Sequence, residues 1–445
     1  MAPQRLSSPS HPSASPPLPL GELIEKVDRD SLKAPSHVTR AEITDTALVS
    51  SYSWMEGDSP KIMVPGKPPR WTPLPGLTQL RQDKGEYYRD INSASYPRHP
   101  LEPAIVSIMK MNPDPIPVNI VACSGTIANL LRFSGASKLD DDIHILVEMV
   151  GNIVHFIRRE NSPKAVIPGI HGYGHTFPKA YTTLDNETKQ SYSHQRIIRY
   201  QFGGLHLMVR FEADGFIDTL KHRRRPAPFT LGVSDLSALR IDDPCLGSRD
   251  DTAKLELIHG GDSVPHEAVF DLKTRSGQWA QKNPAQVVQQ QIYRLWVSQV
   301  KQLIVAYHKH GQFSAKDIKI MKIGEDLKQW ENDMQPELKR LAGLLHLIVD
   351  RAQKAPDGKL ELVLSHGKPL EIRQQVSASN GLLSPTIRKD WAAWLGEMPL
   401  QSDEVGHDAK GDGEEGSSDE ADGNEKAPDY TACDGECSYC GKCNY

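Results

Sequence analysis

The sequence predicts an α/β fold with a mixed central sheet, helices around it and disordered termini. The stretch "DDIHILVEMVGNIVHFIRRE" contains two β-branched apolar runs, which are typical of neighbouring strands. The stretch "HQRIIRYQFGGLHLMVRFEADGFID" predicts two paired strands that turn at Gly203 and Gly204. The stretch "NPAQVVQQQIYRLWVSQV" places Val288, Ile292 and Leu295 on one face of a helix, and the apolar run "QLIVAYH" after it predicts a buried strand. Strands and helices that alternate in this way favour an α/β architecture.

The other elements follow from the same kinds of pattern. We expect a helix at about 100–112, a short strand in "VNIVACSG", a long helix at about 333–353, a hairpin of "KLELVLS" and "PLEIRQQV", and a last helix in "SPTIRKDWAAWLGEM". The segment "SYSWMEGDSPKIMVPGKPPRWTPLPG" is interrupted by Pro and Gly. We interpret it as an extended arm whose aromatic side chains attach it to the body.

Composition divides the 445 residues into parts of different character. Residues 403–429 carry eleven acidic and two basic side chains, so the first 402 residues are positive by about five charges although the whole chain is at −5. Such an acidic segment is typical of disorder, and it either solubilises the protein or mimics an anionic ligand. The predicted parts are a disordered Ser/Pro-rich tail at 1–40, a single α/β body at 41–400, an acidic linker at 401–430 and a Cys-rich motif at 431–445.

Membrane and secretion signals are not found in the sequence. No run of eighteen apolar residues occurs, so we expect no membrane span. The first twenty residues are rich in Ser and Pro and have no apolar core of a secretory signal. Six cysteines are few for this length and do not indicate a disulfide framework. We therefore expect an intracellular location, in the nucleus or the cytoplasm.

Acidic side chains end two of the predicted strands. One strand ends in Glu212-Ala213-Asp214, and a later one in Asp271-Leu272-Lys273. Residues two apart on a strand point to the same side, so Asp271 and Lys273 should be neighbours. Carboxylates on adjacent strand ends can hold Mg²⁺ or Mn²⁺, and a metal there could orient water and neutralise charge on a phosphate. The same pair could also be an ordinary surface ion pair, since the pattern recurs at Asp317-Ile318-Lys319.

These motifs, in this order, resemble those of the PD-(D/E)XK nuclease superfamily over about residues 170–325, and within it the RNA decapping and 5′-end-processing exonucleases. The resemblance implies metal ligands at Glu212, Asp214 and Asp271, a catalytic Lys273, and an essential glutamine on the helix that follows. That helix offers Gln289, Gln290 and Gln291, of which we favour Gln291.

An upstream Gly-x-x-Phe-Glu-x-x-Tyr-like segment of those families has an incomplete counterpart here. In "GHTFPKAY", Gly174, Phe177 and Tyr181 match, but Pro178 stands where a further metal-binding Glu is expected. Asp185 or Glu187 could replace that carboxylate.

The whole chain also resembles a filamentous-fungal family whose members are often labelled geranylgeranyl pyrophosphate synthetases. The shared stretches include "HGYGHTFPKAYTT", "FDLKTR" and the Cys-rich end. Prenyl synthases need two D-D-x-x-D-type helices in an all-helical fold. The nearest strings, "LDDDIHIL", "RIDDPCLG" and "SRDDTAKL", lack the closing Asp, so we keep this activity only as a minor alternative.

Two further clusters could bind ligands. The basic run "KHRRRP" could contact phosphates through Lys221, Arg223, Arg224 and Arg225, act as a nuclear import signal, or form a solvated loop. Four cysteines crowd into the last thirteen residues and suggest Zn²⁺ or an iron–sulfur cluster, with free thiols as the alternative. They are Cys433, Cys437, Cys440 and Cys443.

The leading functional hypothesis is metal-dependent hydrolysis of phosphodiester bonds in RNA or DNA. The alternative from a different class is a catalytically silent module that binds nucleic acid or a protein partner, and Pro178 favours it. The acidic or Cys-rich end could provide the contact with a protein partner.

Overall fold

The computed structural model describes most of the chain between residues 19 and 396. The described ranges are 19–85, 87–135, 142–167, 169–221, 254–276, 284–376 and 381–396. The acidic segment, the four C-terminal cysteines and Arg223 to Arg225 lie outside these ranges. In this described part, no helix has the length and apolar character needed to cross a membrane.

The described residues form eighteen strands in two mixed sheets. Strands β1 to β18 are, in chain order, Leu23–Val27, Ile43–Met55, Lys61–Pro65, Arg70–Trp71, Leu77–Gln79, Ile120–Cys123, Ile143–Val150, Ile153–Arg159, Thr182–Thr183, Ser191–Phe202, Leu205–Glu212, Gly215–Phe216, Glu256–Gly260, Val269–Ser276, Gln302–Lys309, Gln312–Lys322, Lys359–Leu364 and Leu370–Gln374. The larger sheet has the order β1-β18-β17-β7-β8-β6-β11-β10-β2-β3-β13. The smaller sheet has the order β5-β16-β15-β14-β12-β4-β9. Parallel pairs such as β6 with β11 and β14 with β15 occur among antiparallel ones, as the predicted mixed α/β class requires.

Helices cover the sheets. Helices α1 to α9 of the described residues are Ile91–Ser95, Glu102–Met111, Ser124–Gly135, Thr176–Tyr181, Asp218–Lys221, Pro284–Ser298, Gly324–Asp333, Gln335–Lys354 and Pro385–Trp394. The largest apolar core contains buried side chains of α3, α6 and α8 together with those of β11, β14 and β15. Both strands that carry the predicted acidic motifs therefore contribute to one core.

A two-residue turn fixes the register of β10 and β11. Gly203 and Gly204 have φ values of +58° and +81°, which suit a type I′ hairpin turn. A side chain at Gly203 would also come within 2.6 Å of the Ala342 Cβ on α8. The turn pairs Phe202 with Leu205, and this register sets Glu212 opposite Gln195 at the far end of the hairpin.

Two interpretations of the N-terminal region are wrong. Residues 19–40 do not belong to a tail, because β1 lies within them and pairs with β18. The tail prediction therefore concerns only residues 1–18, which lie outside the described residues. The segment that begins "SYSWM" is not an arm, because its first five residues end β2, a thirteen-residue strand that pairs with both β10 and β3. The same segment also contains β3 and β4.

Candidate active site

Asp271 and Lys273 lie side by side on β14, as their spacing predicts. The Lys273 Nζ is 2.7 Å from the Asp271 Oδ1 and donates a hydrogen bond to the Leu272 carbonyl at 3.0 Å. Both residues are buried. Phe270 and Leu272, which alternate with them, pack into a separate apolar cluster on the other face of the strand. One face of β14 is thus apolar, and the other carries the charged pair towards α6.

Asp214 joins the end of β11 to β14. Its Oδ2 accepts a hydrogen bond from the Leu272 backbone N–H at 2.6 Å. The chain then enters β12, whose Gly215 pairs with Phe270. Burial, followed by the negative charge of Asp271, raises the pKa of Asp214. The structure therefore brings together the ends of both motif strands, which the sequence places 57 positions apart between Asp214 and Asp271.

Glu212 is the last residue of β11, and its carboxylate is held by a hydroxyl group. The Ser193 Oγ donates to its Oε1 at 2.8 Å, and the Gln195 Nε2 donates to the same hydroxyl at 2.9 Å. Glu212 keeps access to solvent. The protein packed around its carboxyl, together with the charge of Asp214, nevertheless raises its pKa to about 7. The carboxyl of Glu212 therefore takes up a proton more readily than that of an ordinary glutamate.

Arg294 is a site residue that sequence reasoning missed. It lies on α6, and its Nη2 donates to the Asp271 Oδ2. Burial opposes ionisation of Asp271, but the charges of Arg294 and Lys273 outweigh it and lower the pKa of Asp271. The signal in the sequence was the helical spacing, because Arg294 follows Gln291 by three residues and Gln290 by four.

Asp90 and Arg210 form a second missed pair beside Glu212. The Asp90 carboxylate caps α1 through the backbone N–H groups of Asn92 and Ser93. It lies 3.8 Å from the Nη2 of Arg210, which shares a face of β11 with Glu212. Burial opposes ionisation of Asp90, but Arg210 and these N–H groups lower its pKa. Arg210 thus supplies a fixed positive charge beside Asp90, on the same face of β11 as Glu212.

The helix glutamines differ in their surroundings. Gln289 is exposed, whereas Gln291 is buried. The Gln290 Oε1 is 3.5 Å from the Nη2 of Arg275. Gln290 contacts Arg275, and Arg294 contacts Asp271. Gln291 therefore lies on the helix between the two residues that make these contacts. Its role as the essential glutamine stays a prediction.

The region around Pro178 packs on the apolar side of β14. Phe177 and Tyr181 of α4 are fully buried in the cluster that contains Phe270 and Leu272. Asp185, one of the two suggested replacements for the missing Glu, instead contacts Lys67 and lies 3.7 Å from the Nη2 of Arg70. This carboxylate is thus engaged with two cations of the β3–β4 region.

Several predicted ligands have no described side chain. Lys221 ends α5, and its side chain is not described; Arg223, Arg224 and Arg225 lie outside the described residues. The same holds for the predicted Zn²⁺ or iron–sulfur ligands Cys433, Cys437, Cys440 and Cys443. Their roles stay predictions.

The carboxylates suit a hard divalent ion by their chemistry. Glu212, Asp214 and Asp271 offer oxygen ligands, and each acidic neighbour raises the pKa of the next, so a cation would relieve their repulsion. The Arg294 guanidinium acts as such a cation at Asp271. As the side chains stand, no three His, Cys, Asp or Glu residues within the described ranges are grouped closely enough to hold a metal ion.

Structural comparison finds solved proteins that share this fold. Rai1 of S. pombe has a TM-score of 0.51 with 12% identity, covering 79% of this chain and 99% of that chain. Candida albicans Rai1 in complex with pU5-Mn²⁺ has a TM-score of 0.53 with 11% identity, covering 83% of this chain and 99% of that chain. At such identities the likeness concerns the fold alone, and at that level the predicted α/β class with mixed sheets is confirmed.

Sequence comparison identifies the family but no activity. No curated protein matches the chain. The geranylgeranyl pyrophosphate synthetase label has no support from these comparisons, and the two mixed sheets differ from the all-helical fold that such a site needs. A family model described as "Domain of unknown function (DUF8563)" matches residues 22–373. Because this match spans well over half of the sequence, the chain belongs to the DUF8563 family.

Proposed function

We propose that this protein hydrolyses phosphodiester bonds in nucleic acid with the help of Mg²⁺ or Mn²⁺. The observation that carries the proposal is the hydrogen bond from the Leu272 N–H to Asp214, which brings Asp214, Asp271 and Lys273 to one place. RNA is the first substrate to test, because a structural neighbour, Candida albicans Rai1, was solved with pU5 and Mn²⁺.

Each residue of the site has a distinct role in this proposal. Asp214 and Asp271, assisted by Glu212, would hold the ion, and the ion would polarise the phosphate and favour ionisation of water. Lys273 would position a water molecule or contact a phosphate oxygen, because its ammonium group is fixed beside Asp271. Gln291 would orient the attacking water.

Glu212 adds a proton-handling group at the edge of the site. A carboxyl whose pKa is about 7 can both hold and release a proton on its Oε atoms near neutral pH. As a ligand of the ion, Glu212 would release this proton when the ion binds.

A second function, nucleic-acid binding without cleavage, is favoured by two observations. Pro178 cannot supply the carboxylate expected at its position. Arg294 and Lys273 together already neutralise Asp271. Basic groups of this kind can bind phosphates without any chemical step.

A paired-variant cleavage assay separates the two functions. The whole chain, an Asp271→Ala, Lys273→Ala variant and an Asp317→Ala, Lys319→Ala variant would be incubated with labelled single-stranded RNA and DNA. Each reaction would contain Mg²⁺, Mn²⁺ or EDTA. The second variant is the matched control, because Asp317 and Lys319 have the same spacing on β16, where Lys319 is exposed.

We expect cleavage that needs a metal, is lost in the first variant and is retained in the control. Absence of cleavage in all three proteins, with binding of the nucleic acid intact, would reject hydrolysis in favour of the binding function. Cleavage that persists in the first variant would show that another site is responsible.

A further inference from the structure

Arg294 reaches from the helix surface into the carboxylate group. Its side chain is 47% exposed, whereas that of Asp271 is 11% exposed. The guanidinium therefore occupies a carboxylate oxygen that a metal ion bound to Asp271 would need.

Both oxygens of Asp271 have a cationic partner. Lys273 lies at Oδ1 and Arg294 at Oδ2. Lys273 is only 9% exposed and is further held by the Leu272 carbonyl. Arg294 has a long side chain that already faces solvent along half of its surface. Of the two cations, Arg294 is the one that can leave Asp271 without unpacking the core.

We infer that Arg294 is an exchangeable cation that holds Asp271 until a divalent ion takes this carboxylate, and then binds a phosphate of the nucleic acid. The guanidinium group suits both partners, since it pairs with carboxylates and with phosphates through the same fork of N–H groups. This inference rests on the proposed function, because it assumes that nucleic acid is the ligand of this site.

Two consequences follow for binding. Arg294 should weaken the affinity for a divalent ion when no phosphate is present, because the ion must displace it. A bound phosphate should remove this competition, so metal and nucleic acid should each strengthen the binding of the other. A variant without the guanidinium should bind the metal more tightly and lose this coupling.

The first test is a Mn²⁺ titration of the whole chain. Binding is measured as the loss of the free Mn²⁺ signal in electron paramagnetic resonance. We expect Arg294→Gln to bind Mn²⁺ about tenfold more tightly than the unmodified protein, which is the scale of one displaced ion pair. Adding Asp271→Asn should abolish the gain. Arg40→Gln is the matched control, because Arg40 is 46% exposed and pairs with Glu42 at 2.7 Å.

The second test repeats the titration with a phosphorothioate-linked oligonucleotide that resists cleavage. We expect this probe to tighten Mn²⁺ binding several-fold in the unmodified protein and in Arg40→Gln, but not in Arg294→Gln. Equal Mn²⁺ affinity in the unmodified protein and Arg294→Gln, with the variant folded by circular dichroism, would overturn the competition. If the oligonucleotide tightens Mn²⁺ binding equally in these two proteins, the inference that Arg294 then binds a phosphate is wrong.

These binding measurements do not depend on cleavage. If Arg294→Gln gains Mn²⁺ affinity and loses the coupling while no protein cleaves nucleic acid, the inference holds and the proposed hydrolysis is wrong. If the unmodified protein cleaves RNA but Arg294→Gln leaves Mn²⁺ affinity unchanged, hydrolysis stands and the exchange is wrong.

Discussion

At the scale of single residues, Asp214 serves both the fold and the candidate site. Its carboxylate satisfies the backbone N–H of Leu272, a residue that is 4% exposed. Asp214→Ala leaves this donor without its acceptor and should lower the free energy of unfolding by about 1–3 kcal/mol. Urea denaturation, followed by circular dichroism, measures this loss.

Asp214→Asn separates the two roles of this residue. The amide oxygen can still accept the hydrogen bond from the Leu272 N–H, and the repulsion from Asp271 disappears. The free energy of unfolding should therefore change by less than about 1 kcal/mol. Mn²⁺ binding should nevertheless fall, because a neutral amide is a weaker ligand than a carboxylate. Equal destabilisation by Asn and Ala would show that the hydrogen bond contributes little.

The pairing of Asp271 with Lys273 could be predicted from sequence, whereas Arg294 could not be assigned to it. The first pair depends only on alternation along one strand. The contact of Arg294 with Asp271 depends on how α6 lies across β14, which is a property of tertiary packing. The same reason explains why Asp90 was missed, since its contact with Arg210 joins α1 to β11.

At the scale of elements, α4 depends on a distant cap. The Asp83 carboxylate accepts from the backbone N–H groups of His175 at 3.0 Å and Thr176 at 2.8 Å, and thereby satisfies the helix start. Asp83→Ala should lower the free energy of unfolding by about 1–2 kcal/mol. Asp83→Asn has one acceptor oxygen for two donors. In urea denaturation its free energy of unfolding should therefore lie between those of the unmodified protein and Asp83→Ala.

The apolar face of α4 gives this prediction a structural control. Phe177 and Tyr181 pack against β14, and the ring of Trp71 stacks on Tyr181, so the near-ultraviolet circular dichroism spectrum should report any displacement of the helix. A normal spectrum with reduced stability would indicate loss of the cap alone. No change in stability for Asp83→Ala would contradict a capping role.

Long periodic elements were predictable, and short or interrupted ones were not. The helix predicted at 333–353 corresponds to α8 at Gln335–Lys354 because its apolar repeat covers several turns. Strand β2 was misread because Pro and Gly dominate the segment after it. Its Tyr52 and Trp54 are fully buried and both donate to the Oδ1 of Asn92, a distant contact that no local pattern shows.

At the scale of the whole molecule, buried histidines should make the fold sensitive to acid. Burial lowers the pKa of His155 from 6.5 to about 4 and that of His308 to about 4. Burial also lowers the pKa of His266 to about 3. These groups are neutral in the folded protein but take up protons on unfolding at pH values below about 6.5. The stability that these three histidines contribute is therefore complete above about pH 6.5 and is lost as the pH falls towards their folded-state pKa values.

His155 allows this prediction to be tested at one position. It accepts from the Trp391 indole N–H at 3.1 Å, and its other ring nitrogen lies 3.3 Å from the Glu148 carbonyl, so both ring nitrogens are engaged by the neutral form. Its pKa of about 4 corresponds to about 3 kcal/mol of stability lost between pH 6.5 and pH 4. His155→Gln, which keeps one acceptor and one donor but does not titrate, should flatten the pH dependence of the unfolding free energy by about this amount. The exposed His259 provides the control variant His259→Gln, which should follow the unmodified protein across the same range. An unchanged slope in His155→Gln would mean that the acid sensitivity comes from other groups.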